Sequence, residues 1–215
     1  MAVLGLIADI HGDLAGLRRA LAIFARERVG HLICAGDIVD RGADANAIVP
    51  ILERLGATCV KGNHEHTVLR AQDRRRVNAR AEELARVGRV VSDATVAYVA
   101  ALPDTARLTA HGVRLLVAHG APWSDIASVF PDSRQSTFDQ LRTRYAAETD
   151  VIVLGHTHRP MQVELGALLV LNPGSVYGIT ARDSATCATF DLATRTFRVF
   201  ALRTGVELPV PCIVR

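Results

Sequence analysis

Val3-Leu4-Gly5-Leu6-Ile7-Ala8-Asp9-Ile10-His11-Gly12-Asp13 begins as an unbroken apolar run and then breaks into aspartate, histidine and glycine. A short continuous apolar run suits a strand buried on both faces, the kind found in parallel sheets. Asp13 is placed to cap an amphipathic helix over about 14–28, in which Leu14, Leu17, Leu21 and Phe24 recur at helical spacing. The pattern then repeats. Residues 31–35 read as a second strand, Asp44 can cap a helix running through Leu55, and residues 58–60 read as a third strand. Strand and helix alternating at this spacing predict βαβ units, a parallel sheet and right-handed crossovers.

Working outward, residues 66–103 read as helical and charged, with Arg70, Arg74, Arg75, Arg76 and Arg80 on a solvated face or on a lid over a site. Strands are expected at 107–110 and 113–118, a loop rich in proline and small polar residues at 122–134, and a helix near 136–147. A strand at 151–154 and strand signals at 161–164, 168–171, 186–191 and 196–202 follow, the late ones expected to be antiparallel. Gly174 and Ser175 suggest a tight turn before the next strand. No repeat, low-complexity stretch or linker interrupts the chain, so residues 1–215 are expected to form one α/β domain.

The composition sets limits. A chain of 215 residues supports one substantial core. No apolar run reaches the roughly 20 residues needed to span a membrane as a helix, and the apolar opening lacks the basic flank of a signal peptide. A cytoplasmic protein is expected. A net charge of +3 with both signs interspersed gives no indication of nucleic acid. Cys34, Cys59, Cys187 and Cys212 are widely spaced inside apolar runs, which predicts buried free thiols and neither a metal knuckle nor a Cys-x-x-Cys redox motif.

Chemistry gathers where strands end. Asp9-Ile10-His11-Gly12, Gly36-Asp37-Ile38-Val39-Asp40-Arg41-Gly42, Gly62-Asn63-His64-Glu65, Ala118-His119-Gly120 and Gly155-His156-Thr157-His158 each follow an expected strand. Ligands of open α/β sheets bind beyond the carboxyl ends of the strands, so these clusters should converge on one rim. Their imidazoles, carboxylates and amide oxygen are more than one metal ion can use. A bridging carboxylate among mixed nitrogen and oxygen donors is how a protein holds two divalent cations.

Asp-x-His, Gly-Asp, Gly-Asn-His-Glu, a lone His and Gly-His-x-His, in that order, resemble the calcineurin-like metallophosphoesterases from residue 9 to about residue 175. Asn172-Pro173-Gly174-Ser175 further resembles small bacterial and archaeal phosphodiesterases of that superfamily. Gly36 to Gly42 resembles its serine/threonine protein phosphatase and diadenosine tetraphosphatase branch, although that branch usually has glycine where Ala8 stands.

The resemblance implies a four-layer αββα sandwich with two facing mixed sheets, and two divalent metals drawn from manganese, iron, zinc and cobalt. By the same resemblance, Asp9, His11 and His158 hold one metal, Asn63, His119 and His156 hold the other, and Asp37 bridges them. His64 corresponds to the general acid, Asp40 to the carboxylate that orients it, and Arg41 to a binder of phosphate oxygens. The implied reaction is hydrolysis of phosphomonoesters or phosphodiesters of small molecules by a hydroxide bridging the two metals. Dinucleoside polyphosphates or phosphoprotein are the alternative substrates, and a scaffold that lost catalysis is a remote third. A small phosphorylated substrate is the expected partner, and the sequence does not set the oligomeric state.

Several residues keep two readings at this stage. Arg41 either meets phosphate or braces its loop, and Glu65 is expected to hydrogen-bond near the ligands rather than to be one. Trp123 either stacks on a substrate base or packs under its loop, and Arg159 is a weaker candidate for substrate contact. His31, His66 and His111 are expected to be structural or solvated.

Overall fold

The computed structural model describes residues 2–75 and 87–215, with the side chains of residues 73–75 left aside. Of the arginines read as a solvated face or a lid, Arg74 and Arg75 therefore lack a described side chain, and Arg76 and Arg80 lie outside the described residues.

Two six-stranded sheets lie face to face. The first has the order β11-β10-β9-β1-β2-β3, formed by Glu207–Leu208, Thr196–Ala201, Thr186–Asp191, Val3–Ile7, His31–Cys34 and Thr58–Cys59. The second has the order β12-β7-β8-β6-β5-β4, formed by Cys212–Val214, Pro160–Leu165, Leu168–Pro173, Val151–Val153, Val113–Ala118 and Thr105–Ala110. Strands β1, β2 and β3 run parallel, as the opening alternation predicts.

The late strands are more mixed than the sequence suggests. β5 pairs parallel with β6, and β6 with β8, because helix α5 (Gln135–Tyr145) provides one crossover and the β7 strand the other. The short strands β11 and β12 were not anticipated; as exposed edge strands they need no apolar alternation.

Side-chain alternation builds the layers. Leu4, Leu6 and Ala8, with Ile33 and Ala35, face Leu115, Val117, Val151, Val153, Leu169 and Leu171 across the space between the sheets. The intervening Ile7, Leu32 and Cys34 turn outward onto helices α1 (Leu14–Arg26), α2 (Ala45–Arg54), α3 (Asn63–Arg75) and α4 (Asp93–Ala101), through Leu17, Ile48, Leu52, Val68 and Val99. On the far side, Leu116, Ile152 and Val170 meet Phe138 and Leu141 of α5. Fully burying a side chain such as Phe138 contributes about 1.5–3 kcal/mol. The result is the four-layer αββα sandwich, α/β in class.

Local signals account for most helix ends. The Asp13 carboxylate accepts the Gly16 N–H at 2.8 Å and caps α1. Asp44 stands at the N-cap of α2 but makes no side-chain cap bond, contrary to expectation; its carbonyl starts the helix instead. Helix α3 begins earlier than the charge pattern suggests, at Asn63, because Asp37 Oδ1, far away in sequence, accepts the His64 N–H at 2.9 Å. Val91, Val99 and Leu102 are buried, so the α4 end of the 66–103 stretch is part of the core layer.

The four cysteines are free, but Cys212 is exposed rather than buried. It sits on edge strand β12, which has a partner on one side only.

Candidate metal centre

Each donor stands just past a strand, and the two sheets meet where the donors gather. His119 Nδ1 donates to Ala35 O at 2.8 Å, and the Gly155 N–H donates to His119 O at 2.8 Å. A Cβ on Gly155 would lie 2.8 Å from Ala35 O and 2.9 Å from Ala8 Cβ, so only glycine lets the sheets approach this closely. A Cβ on Gly62 would run into Asp37 Oδ1, which explains the glycine before Asn63.

The backbone is strained at the same rim. Asp9, His11, Asp37, Asp40, Arg41, His156 and His158 all take positive φ, between 48° and 69°. Asp and His tolerate that conformation better than most residues, but seven such positions along one rim still need surrounding bonds to hold them, and strained positions cluster at functional sites. The bonds are present here: the His11 N–H donates to Asp37 O at 2.9 Å and the Gly12 N–H to Ile38 O at 2.9 Å.

Two donor groups result. In the first, His158 Nε2 lies 3.2 Å from Asp9 Oδ1 and 3.3 Å from His11 Nε2, and His11 Nε2 lies 3.8 Å from Asp37 Oδ2. In the second, Asn63 Oδ1 is 3.0 Å from His156 Nδ1 and 3.1 Å from His119 Nε2, which is 3.1 Å from Asp37 Oδ2. Donors about 2.0–2.2 Å from a shared ion are separated by roughly 3–3.5 Å, so most of these spacings suit a divalent cation. Both groups use the same oxygen, Asp37 Oδ2, while Oδ1 is held by the His64 amide.

The electrostatics favour a cation. Asp9 Oδ1 is the buried side-chain polar atom left without a hydrogen bond among the described residues, and it points at His11 and His158. Burial opposes the charge on His119, yet the nearby Asp37 and Asp9 carboxylates push it up to about 10. His11, by contrast, is pushed down to about 4, chiefly by burial. Burial also opposes charge on Asp37, but His119, His11 and His64 together hold its carboxyl well below the usual range. Buried carboxylates that draw positive charge onto a histidine, beside a neutral imidazole with a free lone pair, form a donor set that fits a metal.

His64 stands beside both groups. Its Nδ1 is 2.7 Å from Asp40 Oδ2, and its Nε2 is 3.9 Å from Asp37 Oδ2. Burial opposes the Asp40 charge, but bonds from His64, the Arg41 N–H and Arg89 hold its carboxyl below the ordinary range. Arg41 itself is exposed, with its N–H donated to Asp40 Oδ1 at 2.8 Å.

All ten residues singled out in the sequence, Asp9, His11, Asp37, Asp40, Arg41, Asn63, His64, His119, His156 and His158, lie on this rim. Glu65 is a buried brace: Oε1 accepts the N–H groups of Ile38 and Val39 at 2.7 and 3.1 Å, and Oε2 those of Asp37 and Gly62 at 2.8 and 2.6 Å.

Three contacts escape the sequence reading. Arg89 Nε donates to Asp40 at 3.0 and 3.2 Å, Asp183 Oδ1 lies 2.6 Å from His158 Nδ1, and Asn172 Nδ2 donates to Gly155 O at 2.7 Å. Only the Asn172-Pro173-Gly174-Ser175 motif offered a signal, for the last of these.

Other candidates lie outside the donor groups. Arg159 packs its guanidinium over Phe130 at 5.6 Å. Trp123 stacks on Tyr145 and, with His66, Asp104, Asp125 and His119, lines a cavity of about 410 Å³. His31 pairs with Thr58, and Gly174 leads into a long loop rather than directly into a strand.

Two facing sheets with metal-type donors along their shared rim define a class of metal-binding α/β sandwiches. Residues 2–195 match the calcineurin-like phosphoesterase superfamily domain, and the chain belongs to that superfamily. The uncharacterized protein MJ0912 of Methanocaldococcus jannaschii is 25% identical over 181 residues, covering 81% of this chain and 70% of that protein. The crystal structure of a metallophosphoesterase from Sphaerobacter thermophilus shares the fold, with a TM-score of 0.72 at 20% identity, over 97% of this chain and 89% of that one. So does the hypothetical protein PH1004 from Pyrococcus horikoshii OT3, with a TM-score of 0.74 at 16% identity, over 98% and 89%. Among the described residues no helix is long and apolar enough to cross a membrane.

Proposed function

We propose that the protein is a two-metal phosphoesterase that hydrolyses phosphoesters of small molecules. The observation that carries this reading is the single oxygen Asp37 Oδ2, which both donor groups share within reach of His64 Nε2. Asp9, His11 and His158 would hold one cation, Asn63, His119 and His156 the other, with Asp37 common to both. Bound there, two divalent cations supply an activated water at neutral pH and neutralise charge on the phosphoryl oxygens.

The chain's own residues do the rest. Asp40 accepts a hydrogen bond from the Nδ1–H of His64 and fixes the ring, so that the imidazolium presents its Nε2 proton to the departing oxygen. Arg41 offers a planar fork to a phosphate oxygen. Asn63 contributes a neutral oxygen, which keeps the site able to accept an anion. The cavity beside His119 has room for a leaving group of small-molecule size. Asp104 and Asp125 on its wall, with His66 Nε2 at 3.5 and 3.7 Å between them, leave carboxylates in excess over cationic groups there, which supports simple esters over dinucleoside polyphosphates.

The test is turnover of matched phosphomonoesters, phosphodiesters and dinucleoside polyphosphates with manganese, iron, zinc or cobalt, alongside elemental analysis of Asp37→Asn. The expected results are metal-dependent hydrolysis of simple esters by the wild type and loss of both metal and turnover in the variant. Full turnover after chelation, or two metals retained by the variant, would overturn the reading.

A further inference from the structure

Asp183 lies outside every motif cluster, yet its carboxylate reaches a candidate metal ligand. Oδ1 is 2.6 Å from His158 Nδ1, and Oδ2 accepts the Thr180 N–H at 2.7 Å. The Asp183 side chain is 1% exposed. Its loop is fastened independently of His158. The Ser175 N–H donates to Ser184 Oγ at 2.9 Å and the Ser184 N–H to Ser175 Oγ at 3.1 Å, while the Tyr177 N–H donates to Asp9 O at 3.0 Å. The carboxylate is thus anchored to the strand end that carries Asp9.

This has a chemical consequence for His158. A neutral imidazole carries one proton, and a carboxylate at Nδ1 requires the proton to be there. Nε2 is then left with its lone pair, and Nε2 is the atom facing Asp9 Oδ1 and His11 Nε2. In the other tautomer Nε2 would carry the proton and could not ligate a cation.

We propose that Asp183 is the positioning residue of the cation site formed by Asp9, His11 and His158, fixing His158 in the tautomer and orientation that ligate a divalent cation through Nε2. The proposal rests on the metal-site reading above. It assigns to a residue of the loop that follows the Asn172–Ser175 motif a direct influence on how tightly one of the two ions is held. Outer partners of metal-bound histidines commonly change affinity about 10–100-fold.

Calorimetric titration with Zn²⁺, with no substrate present, tests this. The wild type should bind two ions, and Asp183→Ala should weaken one of them by about 10–100-fold while leaving the other unchanged. Asp183→Asn, which keeps the side-chain size, should weaken the same ion to a smaller degree. In the Zn²⁺-loaded wild type, the His158 Nδ1–H proton should give a resolved, hydrogen-bonded NMR resonance that Asp183→Ala loses. In a His158→Ala background, removing Asp183 should change Zn²⁺ binding no further, whereas a mere brace of the loop would cost as much there as in the wild type. Wild-type affinity at both sites in both Asp183 variants, or equal weakening of both ions, would overturn the proposal. A wild type that bound no Zn²⁺ would overturn the metal-site reading with it.

Discussion

His64 Nδ1 lies 2.7 Å from Asp40 Oδ2 while its Nε2 lies 3.9 Å from Asp37 Oδ2, so one ring links a buried carboxylate to the oxygen that the two donor groups share. Arg89 Nε also donates to the Asp40 carboxylate, at 3.0 and 3.2 Å to its two oxygens. His64→Ala should therefore leave metal content intact and slow hydrolysis by roughly 10²–10⁴-fold, the range for a positioned proton donor. The defect should shrink for leaving groups of low pKa, which depart without a proton. Asp40→Asn should produce a smaller defect in the same direction. Comparing alkyl with nitrophenyl esters decides the matter, and equal defects on both would remove His64 from the role of acid.

Glu65 accepts four backbone N–H groups from the two loops that carry Asp37 and Asn63. Burial and the Asp37 charge push its carboxyl up to about 7, yet the four donors can be served only by its ionised form. Glu65→Gln replaces one acceptor oxygen with an NH₂ that faces N–H donors. Each buried donor left unpaired costs about 1–3 kcal/mol, so the substitution should destabilise the fold by several kcal/mol. Urea unfolding measures it, and a change below about 1 kcal/mol would show that the loops hold without this brace.

The rim was legible because each motif combines a strand end with a donor, and both signals are local. Asp9, Asp37, Asn63, His119 and His156 follow β1, β2, β3, β5 and β6 as the apolar runs predict. What could not be read was contact between residues distant in the chain. The early start of α3 depends on Asp37 as a cap, and His158 depends on a carboxylate in a loop with no periodic pattern. Edge strands β11 and β12, and the exposed Cys212 on β12, escaped because an edge imposes little apolar patterning. Trp123 stacks on Tyr145 of α5 and also lines the cavity, a pairing across the chain that its local sequence does not announce.

Far from the rim, Asp150 and Arg114 join β5 to β6 through a two-point contact of 2.7 and 3.1 Å, with the Arg114 N–H also donated to Asp150 at 2.8 Å. The Arg114 side chain beside Asp150 holds its carboxyl down at about 2. A carboxyl lowered on folding contributes stability above its unfolded value, near 4, and loses it as pH falls through the folded value. The stability gap between wild type and Asp150→Asn should be open at neutral pH and close between about pH 4 and pH 2. Partial exposure of the pair keeps the gap small. Unfolding curves across that window test the assignment, and a gap independent of pH would exclude it.

Arg41 follows Asp40 in a loop where both residues take φ 69° and the Gly42 N–H is tied to His11 O at 2.8 Å. Its backbone is held while its side chain is exposed and pairs with no group among the described residues, so the guanidinium can meet a ligand. A monoester presents three free phosphoryl oxygens and two charges, whereas a diester presents two oxygens, one charge and a second organic arm. Two cations can engage two oxygens, so a further positive group is most useful to the third oxygen of a monoester. Arg41→Ala should therefore lower kcat/KM for a monoester by roughly tenfold to a hundredfold and for a matched diester by much less. Should Arg41 only brace the loop, the strained φ at Asp40 would relax in the variant and both substrates would suffer together through His64. Steady-state kinetics on the matched pair separates the two. Equal losses, or a larger loss on the diester, would overturn the phosphate-binding role and favour a phosphodiesterase that does not need it.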